Sequence, residues 1–305
     1  MPYRVYLRLI QQRLQATYDD GVFPYEKAAQ LETDIQLIAF SLEANKGAHA
    51  GLFAVRRLLR RIRTFGFHMV TLDVRQDALV HRQVIGECLG ETDWLDWTPE
   101  DRLSRIESAL INKESPVSTQ GVKTRKTLAV FQAIAFCRRK YGKQAIGPFV
   151  VSMTQGADDI LSVLLLAFWG QLHNRQEEIP LDVTPLLETV DDLKRGTEIL
   201  ETLLTNDIYR EHLRYRNDCQ MIMIGYSDSN KDGGLAAARW ALQNAQVALA
   251  ASVEQENIEL TLFHGRGGSI SRGGSKTHAA VLGAPPGTVN GRLRVTEQGE
   301  IINEK

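Results

Sequence analysis

Apolar residues recur along the chain in two different patterns. Residues 4–18, 25–45 and 52–65 carry apolar positions three or four residues apart, which is the spacing of amphipathic helices. Beyond them, short and almost wholly apolar runs alternate with helical segments. These runs predict strands over residues 67–74, 149–153, 183–187, 220–226, 259–263 and 293–296. We therefore expect a helical segment over 1–66 and a strand-and-helix region over 67–305.

The repeated order of strand, polar tip and helix predicts parallel β/α architecture. The strands are apolar at nearly every position, as expected when both faces of a parallel sheet are covered. A closed eight-stranded barrel needs about two more strands than the pattern shows. The expected fold is therefore helix-rich α/β, either an incomplete parallel β/α barrel or an open sheet. In a β/α barrel, active sites lie at the carboxyl ends of the strands.

The fifth predicted strand leads into a glycine-rich loop over residues 263–274, Phe-His-Gly-Arg-Gly-Gly-Ser-Ile-Ser-Arg-Gly-Gly. Glycine lets the backbone approach a ligand closely, and Arg266 and Arg272 offer forked donors that fit phosphate or carboxylate. The alternatives are a flexible linker and an Arg-Gly nucleic-acid tail, but such tails are long and of low complexity. We interpret the loop as a clamp for a small polyanion. Residues 273–277 fail the P-loop pattern because Ser275 interrupts its Gly-Lys step.

Charged side chains follow or end several of the predicted strands. They are Arg75, Glu188, Asp228, Lys231, His264, Arg266 and Arg272. Two carboxylates from different strands can bind a hard cation such as Mg²⁺, which keeps its remaining positions for water and substrate oxygens. Several cations in one pocket suit a phosphoryl dianion. The strand ends therefore predict a metal-assisted phosphate site.

Each of these groups also has a purely structural interpretation. Arg75 could pair with the aspartate two residues away on either side, and Glu188 could cap the following helix. Residues 228–233 could be only a turn, and His264 could be a hydrogen-bonded structural histidine. The five arginines between residues 56 and 63 favour a solvated face or a partner surface over nucleic-acid binding.

Composition narrows the classes of function. The formal net charge is -1, with 43% hydrophobic and 24% charged residues, so no global field attracts nucleic acid or an anionic membrane. The three cysteines show no ligand spacing and suit a reducing compartment. No apolar run reaches the length of a membrane span, and the first residues show no signal region. We expect a cytoplasmic protein without nucleic-acid or membrane partners.

Five segments closely resemble the phosphoenolpyruvate carboxylase family, in the order in which the family carries them. They are residues 72–76, 187–193, 223–232, 263–274 and 293–300. The resemblance implies a helix-rich β/α barrel of the TIM-barrel type in a homo-oligomer, usually a tetramer. It also implies a lyase that adds bicarbonate to phosphoenolpyruvate, giving oxaloacetate and phosphate with Mg²⁺ or Mn²⁺. That carbon dioxide fixation is anaplerotic for the tricarboxylic acid cycle.

The resemblance also assigns roles by matching motif. The expected metal ligands are Glu188 and Asp228. The expected contacts to the substrate phosphate are Arg75, Arg266, Gly267 and Gly268. The residues expected to act on bicarbonate and carboxyphosphate are Lys231, His264 and Arg272. Arg272 is further expected to help hold an inhibitory dicarboxylate such as aspartate or malate.

The sequence departs from the family pattern in extent. Family enzymes are much longer, and their Thr-Ala-His-Pro-Thr-Glu segment, which carries an essential histidine, is absent here. We therefore expect a central fragment, without the family's C-terminal region and inactive by itself. The alternative function is a non-catalytic phosphate-binding or assembly module that has lost the catalytic histidine. Ser271 stands where many relatives have glycine, which is expected to stiffen the loop slightly.

Overall fold

The computed structural model describes residues 2–254, 256–267, 277–297 and 302. The chain divides into two compact units. The first contains the residues up to Leu72 together with Ala133–Gly147. The second contains Asp73–Gln132 and the residues from Pro148 onward.

The first unit is built on three helices that the apolar spacing predicts. They are α1 (Pro2–Asp19), α2 (Ala28–Ala44) and α3 (Phe53–Phe65). Their buried faces form one core that includes Ile10, Leu31, Ile35, Ile38, Leu42, Leu59 and Ile62. The carboxylate of Asp34 lies beside this core and accepts hydrogen bonds from the hydroxyls of Tyr6 (2.8 Å) and Tyr25 (2.6 Å).

The second unit is organised by a six-stranded sheet. Its strands are β1 (Leu72–Asp77), β2 (Ile146–Ser152), β3 (Val183–Leu187), β4 (Cys219–Gly225), β5 (Glu259–Gly265) and β6 (Arg294–Val295). They lie in the order of the sequence, and the pairs from β2 to β6 are parallel. Parallel neighbours need a crossover connection, so helical chain separates the strands.

Eight α-helices follow α3 in the part of the chain that the structure describes. They are α4 (Ala78–Leu89), α5 (Pro99–Ile111), α6 (Val122–Tyr141), α7 (Ala157–Trp169), α8 (Val190–Thr205), α9 (Asp207–Tyr215), α10 (Ser227–Val253) and α11 (Thr277–Leu282). Side-chain caps explain where several of them begin. Thr98 caps α5 with Pro99 at its first position, and Thr189 and Asp192 form a capping box on α8. Within the described residues, no helix is long and apolar enough to cross a membrane.

The two faces of the sheet carry different side chains. Val150, Leu186, Met223 and Phe263 form a cluster on one face. Since side chains alternate along a strand, His264 points to the opposite face, toward the helices. Arg294 on β6 reaches back to Asp73 on β1, with 2.6 Å between Nη2 and each carboxylate oxygen. The edge strands are therefore brought together by curling, which confirms the incomplete β/α barrel.

Two element boundaries differ from the sequence prediction. The strand predicted over 67–74 begins only at Leu72, because the chain turns before it and Met69 has a φ of +62°. Arg75 therefore lies inside β1. A helical segment over residues 227–233 precedes the helix predicted from residue 235, and the break between them is Gly234, whose φ is +75°. Such a φ is easily adopted only by glycine.

Candidate functional site

Glu188 lies directly after β3, and both of its carboxylate oxygens are engaged. Oε1 accepts a hydrogen bond from Arg75 Nη2 (2.7 Å), and Oε2 accepts one from the backbone N–H of Met153 (3.0 Å). Glu188 is buried. Its own backbone N–H donates to Asp192 Oδ2 (3.1 Å). The helix cap is Thr189, so the side chain of Glu188 is not used for capping and is left to face the site.

Arg75 on β1 extends to Glu188 although β2 lies between their strands. The two neighbouring aspartates have other partners: Asp73 pairs with Arg294, and Asp77 accepts a hydrogen bond from Leu79 N at the start of α4. The surface pair considered for Arg75 is therefore not formed. A half-exposed guanidinium facing a buried carboxylate leaves donors available for an anion, because guanidinium carries five N–H groups.

Asp228 and Lys231 lie in the first turns of α10 and pair with each other, with 2.6 Å between Nζ and Oδ1. The segment is helical, so the turn considered for residues 228–233 is not found. Asp232, in the same segment, accepts a hydrogen bond from the backbone N–H of Val190 (3.0 Å). This bond ties the beginning of α10 to the beginning of α8, directly after Glu188.

Gly225 at the end of β4 allows Glu188 to lie against the neighbouring strand. A Cβ atom at Gly225 would be 3.2 Å from Glu188 Cα and 3.4 Å from its Cγ. The first distance is shorter than ordinary van der Waals contact, and the second is at its lower limit. The glycine therefore sets how closely the β3 carboxylate approaches the end of β4, from which Asp228 follows three residues later.

His264, Tyr226 and Arg266 form a second group at the ends of β4 and β5. The Tyr226 hydroxyl lies 2.8 Å from Nδ1 of His264, and the Arg266 guanidinium carbon lies 4.9 Å from the centre of the Tyr226 ring. All three side chains are buried. They line a cavity of about 60 Å³ that also borders Arg239 and Gln246.

Burial changes the ionisation of this group. Loss of hydration, with the Arg266 charge as a smaller cause, lowers the pKa of His264 to about 4, so its imidazole is neutral at physiological pH. Burial likewise raises the pKa of the Tyr226 phenol. The pair is therefore a neutral imidazole beside a protonated phenol.

The carboxylates of Glu188 and Asp228 suit a hard cation. Among the described residues, no three His, Cys, Asp or Glu side chains lie close enough to hold a metal together. Mg²⁺ needs only one or two protein carboxylates. Glu188 uses two of its roughly four lone-pair directions, and Asp228 is half-exposed with Lys231 on one oxygen. Both therefore have oxygen positions left for a divalent ion.

The structure thus brings Arg75 to Glu188, Lys231 to Asp228, and Arg266 to His264 through Tyr226. Gly267 is described and buried. Gly268 and Arg272 lie outside the described residues. Sequence reasoning did not single out Tyr226 or Asp232. Tyr226 could have been found because it is the first polar side chain after the apolar run of β4.

Comparison with known proteins gives one consistent family. The model of the phosphoenolpyruvate carboxylase family matches residues 1–305. A phosphoenolpyruvate carboxylase from Xanthomonas oryzae pv. oryzae is 49% identical over 305 residues, covering 100% of this chain and 34% of the relative. Those from Mycolicibacterium paratuberculosis and Rhodopseudomonas palustris are 37% and 36% identical, each covering 100% of this chain and 35% of the relative. The chain spans about a third of the length of these curated relatives.

Proposed function

Because the chain belongs to the phosphoenolpyruvate carboxylase family, we propose that it supplies the metal- and phosphate-binding part of an enzyme that adds bicarbonate to phosphoenolpyruvate. The products would be oxaloacetate and phosphate. The observation that carries the proposal is the 2.7 Å contact between the guanidinium of Arg75 on β1 and the buried carboxylate of Glu188, directly after β3.

Glu188 and Asp228 are the proposed ligands of Mg²⁺ or Mn²⁺. Their support is an oxygen-only donor set at the ends of adjacent strands, with lone pairs left over. When bound, such an ion would offset negative charge on the phosphoryl group and on the enolate. Arg75 contacts Glu188 and Lys231 contacts Asp228. When a metal ion binds the two carboxylates, these two side chains would be released to contact a substrate anion.

The anionic reactants are assigned to the cationic groups. Arg75 and Arg266, with the backbone of Gly267 and Gly268, are the proposed contacts to the substrate phosphate. Lys231, His264 and Arg272 are the proposed groups for bicarbonate and carboxyphosphate. For the described members, the support is that His264 and Arg266 lie at the carboxyl end of β5, Lys231 lies in the helix after β4, and Arg75 lies two residues before the end of β1. β/α barrels hold their sites at the carboxyl ends of their strands.

The proposed reaction balances without a redox step. A bicarbonate oxygen attacks phosphorus, the bond from phosphorus to the enol oxygen breaks, and carboxyphosphate and an enolate result. Carboxyphosphate then divides into carbon dioxide and phosphate, and the enolate carbon bonds to carbon dioxide. Guanidinium and ammonium groups would offset the charge at each stage, while a closed glycine-rich loop would keep water from the reactive species.

The proposal includes a cytoplasmic location, a homo-oligomer and a dicarboxylate effector near Arg272. It further includes inactivity of this chain alone, because the Thr-Ala-His-Pro-Thr-Glu segment of the family does not occur in its sequence. Formation of oxaloacetate by this chain with Mg²⁺, phosphoenolpyruvate and bicarbonate would contradict that part. It would leave the binding assignments intact.

The proposed function is tested by titration with Mn²⁺, followed by electron paramagnetic resonance, and then with a non-reactive phosphoenolpyruvate analogue such as phospholactate. Asp228→Ala should weaken Mn²⁺ binding by roughly tenfold or more, as expected for loss of a ligand carboxylate. Arg266→Ala should weaken the analogue and leave Mn²⁺ binding unchanged.

Asp191→Ala is the matched control, because Asp191 also pairs with a lysine three residues away on a helix. It should change neither titration. Failure of the unmodified chain to bind either ligand would contradict the proposal. Binding of the analogue without any dependence on Mn²⁺ would instead favour the non-catalytic phosphate-binding module.

A further inference from the structure

We propose that Tyr226 is a positioning residue for His264: its hydroxyl donates to Nδ1 and fixes the imidazole as the tautomer that carries its proton on Nε2. His264 would then present a neutral N–H donor to an oxygen of an anionic reactant. The tautomer rests on the geometry alone, and its use on a reactant rests on the proposed function.

The contact is close and enclosed. The Tyr226 hydroxyl oxygen and His264 Nδ1 are 2.8 Å apart, within the usual range for a strong hydrogen bond. Each residue is only 3% exposed. Tyr226 follows β4 and His264 lies on β5, and these strands are paired from Cys219 to Gly225. The ladder ends at Gly225 and Gly265, next to the contact, and fixes the register of the two strands that carry these side chains.

The direction of donation follows from the surrounding charges. Arg266 and Arg239 place their guanidinium carbons 4.9 and 5.4 Å from the centre of the Tyr226 ring. A guanidinium can only donate, so these two neighbours offer the phenol proton no acceptor. Nδ1 of His264, 2.8 Å away, can accept that proton, and the imidazole proton is then on Nε2.

A neutral donor is the form of His264 that this environment favours. A second proton on the ring would create an imidazolium next to Arg266 without a carboxylate to balance it among its described contacts. The ring therefore differs in role from a general acid that gains and loses a proton. It provides a hydrogen bond whose direction is set by Tyr226.

The tautomer can be read directly by nuclear magnetic resonance. The chain is labelled with ¹⁵N-histidine, and correlations from the ring carbon protons report the state of each ring nitrogen at pH 7. His264→Gln identifies the signals of His264 by their disappearance. The expected spectrum shows a non-protonated, hydrogen-bonded Nδ1 and a protonated Nε2. A proton on Nδ1 would overturn the proposal.

Tyr226→Phe tests the cause. It should shift the Nδ1 signal of His264 toward that of a nitrogen without a hydrogen bond. Tyr209→Phe is the control, because it removes another fully buried hydroxyl, which donates to Gln220 Oε1 (2.7 Å) in the same unit. That variant should leave His264 unchanged. Unchanged His264 signals in a folded Tyr226→Phe variant would overturn the positioning role.

Titration with phospholactate and Mn²⁺ separates this inference from the proposed function. Tyr226→Phe should weaken the analogue by roughly five- to tenfold, the change expected for one hydrogen bond, with Mn²⁺ binding unchanged. Equal analogue affinity would overturn the use of the tautomer on a reactant. If the unmodified chain binds no analogue at all while its Nδ1 accepts from Tyr226, the proposed function fails and the tautomer assignment is supported.

Discussion

Arg294 Nη2 lies 2.6 Å from both carboxylate oxygens of Asp73, so the first and last strands of the sheet are joined by one ion pair. The same guanidinium stacks on the Phe263 ring, with 4.8 Å to its centre. The pair is partly shielded, with side-chain exposures of 35% and 29%. It bridges the two edges of a curled sheet with six strands among the described residues.

This relationship predicts a measurable coupling energy. A double-mutant cycle with Asp73→Asn and Arg294→Met, followed by urea unfolding, should give a coupling of about 1 kcal/mol, because the guanidinium contacts both oxygens. The neighbouring pair Arg292–Glu259 is more exposed and provides the control. Its coupling should be below about 0.5 kcal/mol. Equal couplings for the two pairs would contradict the shielding of the first.

Lys231 should affect cations and anions in opposite directions. Its ammonium lies 2.6 Å from Asp228 Oδ1, where it competes with a divalent cation for the carboxylate. Lys231→Met should therefore tighten Mn²⁺ binding several-fold and weaken phospholactate. Lys194→Met, which removes the equally spaced partner of Asp191, should change neither affinity. Weaker Mn²⁺ binding in Lys231→Met would show that the lysine does not compete for the metal site.

Arg75 should matter for stability as well as for binding. Among the described residues, Arg75→Met leaves the buried Glu188 carboxylate with only the Met153 N–H as a donor. The substitution should lower the free energy of unfolding by about 1–3 kcal/mol. Glu188→Gln in the Arg75→Met background should restore part of the lost free energy of unfolding, because no charge is then left unpaired. Arg56→Met, at the exposed Arg56–Glu43 pair, should cost less than about 0.5 kcal/mol. Thermal and urea unfolding measure all three variants against the unmodified chain.

His81 makes stability depend on pH. It is fully buried and, within the described residues, both ring nitrogens lack hydrogen-bond partners. Burial lowers its pKa from 6.5 to about 4. The unfolded chain therefore binds more protons between these values, and stability that is present above pH 6.5 is lost as the pH falls toward 4.

His81→Leu should consequently flatten the pH dependence in that window. At pH 7 it should raise the free energy of unfolding by about 1 kcal/mol, because an unpaired buried polar group is removed. His173→Leu, at an exposed position of the same unit, should do neither. Urea unfolding at intervals between pH 4 and 7 measures both effects. A steeper decline in His81→Leu would contradict the neutral buried imidazole.

The sequence predicted much of the sheet because parallel strands covered on both faces leave apolar runs that are easy to recognise. The run over 183–187 is β3 without any change of bounds. The contact between Arg75 and Glu188 could be predicted from the same pattern, because the carboxyl ends of parallel strands lie at one edge of the sheet. The beginning of β1 was missed because the turn at Met69 requires a positive φ that no apolar pattern encodes.

The direction of each side chain was harder to predict. A shift of one residue along a strand reverses the face, and a strand that is apolar throughout has no alternation to reveal it. The placement of His264 toward Tyr226, rather than into the Phe263 cluster, therefore required coordinates. The bond from Val190 N to Asp232 joins residues 42 apart, and such a pairing has no local signal.

The Glu188 carboxylate and the His264 imidazole are held by different parts of the fold. The Glu188 carboxylate depends on β1, β2 and the glycine of β4, whereas the His264 imidazole depends on the layer formed by α10 and α11. Substitutions at Gln246 or Arg239 would thus change the surroundings of the His264 imidazole without changing the contact between Glu188 and Arg75. The His264 side of the site could therefore change in evolution without altering the contact between Glu188 and Arg75.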